Sequence, residues 1–265
     1  MRIVLLVCAM AVAAAAQTPT VTNARLETKA VNGNALEFLH KTVASENGPM
    51  WFGYAVESDG PPSDSCETRL EDGRGEVAQK RAVHLEGSRE LLVLYRTQNH
   101  EIQKIRPVSG ECPLDAGGLR FVWITGVDAA SSLALLSEQV SQREKEVALL
   151  TIGMHAKGGT EALIRFAKQD PSSHVRGQAL FWLAQKAGQK SVRAIQDALE
   201  NDPDTEVKTK AVFALQQLPK GEGVPLLIQV AKTNRNAEVR KQAMFWLGQS
   251  GDPRALAFFE EILAR

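Results

Sequence analysis

Cysteine is scarce in this chain. None of Cys8, Cys66 and Cys112 has a second cysteine or a histidine two residues away, which excludes a zinc ribbon or a CxxC redox motif. An excess of charge of either sign is also missing: Lys+Arg and Asp+Glu number 31 each, and from Asp128 onward there are 18 basic and 16 acidic residues. No field from the whole molecule therefore draws it to nucleic acid or an anionic membrane, and no nucleic-acid partner is expected. Long apolar runs are absent after the first residues, which excludes a later spanning helix of ~20 apolar residues. HExxH, GxSxG and GxxxxGK[ST] do not occur, and His40, His84, His100, His155 and His174 lie far apart without ligand spacing. Each histidine is expected at the surface or at a helix cap. No catalytic residue, metal or cofactor is expected.

What is present begins with a leader. Residues 1–16 carry one charge at Arg2, an apolar run from Ile3 to Val12, and Ala13 to Ala16 before Gln17. This is the layout of a secretory signal peptide, and it predicts an exported protein, periplasmic or extracellular, with no membrane span once the leader is removed. Loss of Cys8 with the leader leaves Cys66 and Cys112, which have one possible pairing in an oxidising compartment, so a disulfide is expected.

Residues 17–127 read as a small α+β domain. Asn34 followed by Glu37 forms a capping box ahead of Leu36, Leu39 and Val43, predicting a helix from Ala35 to Ala44. Beyond Gly48 and Pro49 the pattern turns to strand, at Trp51–Val56, Leu91–Arg96 and Phe121–Val127. Thr97 to His100 reads as a tight turn into a partner strand near Ile102–Val108. The strands are continuously apolar, which predicts burial on both faces, one of them against the first helices of the C-terminal part. Asp64, Glu67, Glu71 and Asp72 cluster in a polar loop without the ordered spacing of a calcium site, and are read as a solvated acidic face.

Residues 128–265 contain a phrase that recurs every 32 residues: DPSSHVRGQALFWL from Asp170, DPDTEVKTKAVFAL from Asp202 and NRNAEVRKQAMFWL from Asn234. Within each, Val175, Ala179, Trp182 and Leu183 and their equivalents form one helical apolar stripe, and a second periodic helix precedes each phrase. The unit is a helical hairpin, with units near 128–157, 159–188, 190–218 and 222–250 and a terminal helix at 253–264. A fixed interval of this kind marks stacked units that bury their apolar faces on one another.

The order Asp-Pro-x-x-x-Val-Arg followed by alanine and leucine resembles the HEAT-repeat family, and the short period is similar to its bacterial, phycobilin-lyase-like branch. The resemblance implies an all-α solenoid of antiparallel hairpins with the second helix of each lining the concave side. It also implies a charge ladder of Asp170, Asp202, Arg176, Lys208 and Arg240 between units, weakened where Asn234 replaces the acid. Phe181, Phe213 and Phe245 occupy a position usually polar in the family, flanked by Gln178, Lys210, Gln242 and by Gln185, Gln217, Gln249. Two expectations follow. Either these side chains line a groove for a protein or peptide partner, or the rings pack on one another and the glutamines form ladders within the stack. The chain as a whole reads as an exported, non-enzymatic binding scaffold. The alternatives are a phycobilin-lyase-like chromophore-attachment or other enzyme, and a structural spacer in an envelope assembly.

Overall fold

A computed structural model describes residues 18–45, 47–60, 69–71, 89–142, 144–186 and 188–264. An α+β N-terminal region precedes an all-α series of helical hairpins. The strands are β1 (Val21–Thr22), β2 (Arg25–Ala30), β3 (Met50–Glu57), β4 (Glu90–Gln98), β5 (Glu101–Ser109), β6 (Leu114–Asp115) and β7 (Arg120–Thr125). Five form one sheet in the order β2-β7-β3-β4-β5, while β1 and β6 pair separately. Helix α1 (Ala35–Val43) starts where the Asn34 side chain accepts a hydrogen bond from the Glu37 amide at 3.0 Å.

The β3, β4 and β7 segments are apolar at nearly every position because the sheet is covered on both sides. Phe52, Tyr54, Val93, Tyr95, Val122 and Ile124 face the helices, while Trp51, Leu92, Leu94, Phe121 and Trp123 form a second cluster on the other side with Leu70 and Leu114. Each such side chain contributes about 1.5–3 kcal/mol by leaving water. The β4–β5 hairpin turns at Asn99 and His100, both left-handed with φ 53° and 62°. Strand β2 has no counterpart in the sequence reading. Its segment RLETKA alternates polar and apolar weakly, as suits an edge strand lying parallel to β7 and half exposed.

The helices are α2 (Ala129–Gln139), α3 (Lys145–Met154), α4 (Gly159–Gln169), α5 (Ser173–Gln185), α6 (Gln189–Asn201), α7 (Thr205–Gln216), α8 (Gly223–Thr233), α9 (Ala237–Gln249) and α10 (Pro253–Leu263). Second helices α5, α7 and α9 each start on a side-chain cap, at Ser172, Asp204 and Asn236. First helices carry a small buried residue at the same 32-residue interval: Gly159, Ser191, Gly223 and Ala255. The reason is close approach. A Cβ on Gly223 would stand 1.8 Å from the Leu215 carbonyl oxygen, and one on Gly159 would stand 2.4 Å from that of Ile152.

The sheet and the helices share one core, since Leu135, Leu136, Ala148, Leu149 and Ile152 of α2 and α3 belong to the same cluster as Phe52, Tyr54 and Tyr95. Backbone bonds join the two regions as well: the Asp59 amide donates to the Met154 carbonyl at 3.0 Å, and the Ala156 amide to that of Glu57 at 2.9 Å. Buried within this junction, His155 Nδ1 lies 2.8 Å from the Thr151 carbonyl, which can only accept, so Nδ1 carries the proton. Nε2 must then accept from Ser132 Oγ at 2.8 Å, Ser132 accepts from the Tyr54 hydroxyl at 2.9 Å, and Tyr54 accepts from Tyr95 at 2.9 Å. The chain of bonds is fully satisfied and runs in one direction from β4 to α3. His155 is the C-cap residue of α3, and it is completely buried rather than exposed.

Candidate functional site

Helices α5, α7 and α9 pack on one another along much of their length. By contrast, α4 touches α6 less and α6 hardly touches α8. This closer spacing puts the second helices on the inner side of the stack and leaves the first helices splayed on the outer side. Gly177 permits the approach on the inner side, because a Cβ there would meet the stem of Lys210 at 2.2 Å.

The inner surface carries a connected run of rings. Phe181 and Phe213 stack at 6.1 Å between centroids and 5° between planes, and Phe213 leans on Trp246 at 5.1 Å. Trp182 and Phe245 extend the run at either end, edge-on to Phe181 and Trp246 at 4.9 and 5.0 Å. The middle unit has Ala214 where its neighbours have tryptophan, so it adds one ring to the run, Phe213, which touches both neighbouring units. Phe181 and Phe213 are half-buried, and Phe245 is 53% exposed. Mutual packing and access to solvent thus coexist, where the sequence had set them against each other.

Around the rings, Gln178, Lys210, Gln242 and Gln217 are half-buried, while Gln185 and Gln249 are exposed. Among the described residues no hydrogen bond links these side chains from one unit to the next. An open groove of about 440 Å³ runs between α7 and α9, floored by Phe213 and Trp246, walled by Lys210 and Gln242, and edged by Glu206 and Glu238. Lys210 is held by Glu206 at 2.9 Å.

The charged positions of the repeat sit at the opposite edge of the hairpins. Arg176 donates to both carboxylate oxygens of Asp202, at 2.7 and 3.0 Å, and to the carbonyls of Asp170 and Pro171. The Asp202 hydrogen bond is the main cause of the raised Arg176 pKa. Asp170 and Asp202 each also accept from the amide two residues on, at 2.9 Å. Asn234 makes the same turn bond to the Asn236 amide at 2.9 Å, so the exchange keeps the turn and loses the charge. In the next units the cations stay at home: Lys208 donates to the Glu200 carbonyl, and Arg240 to those of Asn234 and Arg235. The described ladder therefore has one ionic rung between units.

Residues 192–265 match the family model of HEAT repeats. The matched HEAT stretch runs from inside α6 to the C-terminal helix. The α4–α5 hairpin upstream has the same turn bond at Asp170 and the same arginine-to-carbonyl contact as the α8–α9 hairpin inside the match. No curated protein matches the chain. Among the described residues no helix is long and apolar enough to cross a membrane, and no group of three or more His, Cys, Asp or Glu could hold a metal ion. Of the acidic loop, Asp64, Glu67 and Asp72 lie outside the described residues. Glu71 is occupied by Arg96 and by Trp51 Nε1 at 2.8 and 2.7 Å. Cys112 is buried at the turn after β5, and its expected partner Cys66 lies outside the described residues.

Proposed function

We propose that the inner face of the stack binds an extended segment of another protein. A helical repeat of the HEAT type is a scaffold suited to protein interaction, and the observation that carries the reading is the five-ring run with its open groove. Aromatic anchors supply most of the energy at such surfaces, and amide side chains hydrogen-bond a main chain laid across them. Gln178, Gln242 and Lys210 stand where they would take that role, with Phe181, Phe213 and Phe245 as anchors. We also propose that the protein acts outside the cytoplasm and that Cys66 and Cys112 are joined there, which the leader-like residues 1–16 and the single available pairing support.

The test is a crosslinking pull-down from the native envelope with the full chain and its Phe181→Ala/Phe213→Ala/Phe245→Ala variant. A partner held by the wild type and lost by a variant with an unchanged circular-dichroism spectrum is the expected result. Equal capture by both proteins refutes the reading.

A further inference from the structure

On the outer side of the stack, a cleft of about 630 Å³ opens between the C-terminal halves of α6 and α8. Its apolar part is the partly exposed Leu226 beside the nearly covered Leu199 and Val230, and its charged lining is Lys208 and Arg235 against the exposed Glu200. The size is that of a small-molecule site.

The cleft lies at the seam where the ionic rung is missing. One unit earlier, Arg176 reaches across and grips the Asp202 carboxylate with two hydrogen bonds. The equivalent pair here is Lys208 and Asn234, both in the cleft wall, and Asn234 offers no charge. Lys208 spends one of its three donors on the Glu200 carbonyl at 3.0 Å. The repeat thus keeps a cation at this seam and removes the carboxylate that answers it, while α6 and α8 part beside Leu199, Leu226 and Val230.

We propose that this cleft binds a straight-chain alkyl carboxylate. Its carboxylate takes the place at Lys208 that Asp202 takes at Arg176, and its chain lies along Leu199, Leu226 and Val230. A carboxylate is favoured over a neutral head because it adds the attraction of opposite charges to the hydrogen bond that the Lys208 ammonium would donate to either. This site is on the opposite side from the aromatic groove and does not depend on it.

Octanoate is the probe, titrated calorimetrically into the full-length protein beside octanol and succinate. Saturable one-to-one binding of octanoate is expected, with the neutral and the chainless compounds each weaker by about tenfold or more. Lys208→Gln should weaken octanoate by a similar factor. So should Asn234→Asp, which restores the internal carboxylate and fills the place from within; its melting temperature should not fall, so it decides the matter even if Lys208→Gln folds poorly. The Phe181→Ala/Phe213→Ala/Phe245→Ala variant should bind octanoate like the wild type. No saturable binding at millimolar octanoate, equal binding of octanol, wild-type affinity in both cleft variants, or loss of binding in the phenylalanine variant would each overturn the proposal.

Discussion

Replacing Asp202 by asparagine removes one charge and little else, because Asn234 shows that an amide supports the same turn. In the wild type the pair is nearly closed to water, with side-chain exposures of 11% for Arg176 and 5% for Asp202. Stranding one member of a buried ion pair typically costs about 3–5 kcal/mol. Two features reduce that figure. Arg176 keeps the carbonyls of Asp170 and Pro171, and the amide oxygen of an introduced asparagine still accepts one of its donors. The loss should therefore be about 2 kcal/mol, the size of a hydrogen bond to a charged group. That corresponds to a fall in melting temperature of about 4–8 °C for a chain of this size. The reciprocal change, Asn234→Asp, gives Lys208 a partner at a more open seam and should add no more than about 1 kcal/mol. Urea unfolding of the three proteins measures both effects, and hydrogen exchange at residues 198–204 localises the first. If Asp202→Asn unfolds within 0.5 kcal/mol of the wild type, the rung does not hold the seam, and the account of the open cleft goes with it.

Burial, with the Lys186 charge beside it, lowers the His155 pKa to about 4 against the opposing effect of the Thr151 carbonyl. The unfolded imidazole titrates near 6.5, so the unfolded chain takes up this proton first. The contribution is complete above pH ~6.5 and declines by about 3 kcal/mol as the pH falls to ~4. His155→Gln should be less stable at neutral pH and flatter across that window; parallel pH profiles would contradict the burial argument. Gly223→Ala should destabilise by about 3 kcal/mol or more despite alanine's helix preference, since the added carbon meets the Leu215 carbonyl rather than a side chain, and an unchanged urea midpoint would disprove the close approach. Phe181→Ala and Phe213→Ala should each cost about 1–2 kcal/mol, and Phe245→Ala less than about 1, in the order of their burial. Mass spectrometry of the mature protein after alkylation should find Cys66 and Cys112 blocked until reductant is added; labelling without reductant would exclude the bridge.

The helical hairpins were legible because the 32-residue interval repeats both the apolar stripe and the turn residues, and each copy reinforces the others. The β4–β5 hairpin was legible for a local reason: an apolar run, Leu91–Tyr95, leads into an Asn-His turn that accepts left-handed backbone, and a mixed strand carrying Ile102, Ile105 and Val108 follows it. Strand β2 was not, because RLETKA owes its conformation to pairing with β7 rather than to its own composition. The small residues at 159, 191, 223 and 255 did carry a periodic signal, hidden because three different residue types fill the position. His155 gave no signal at all. A single histidine after an apolar helix reads as a cap, and its burial depends on Ser132 and Tyr54, which are 23 and 101 positions away. The aromatic run was only half legible: the phenylalanines stood out in register, but Trp182 and Trp246, which join them in the run, read as part of the apolar stripe.

The relay from Tyr95 to His155 also bears on how the protein can be divided. The first helical hairpin serves two neighbours at once, as the wall of the sheet and as the opening course of the stack. A fragment starting at Asp128 would be left with a wet, unclosed flank of leucine and isoleucine, along with a serine–histidine pair short of its tyrosine donor. Fragments that carry the hairpin with the sheet would uncover α4 and α5 instead. Single substitutions in the intact chain are therefore the sound way to assign binding to one region or the other.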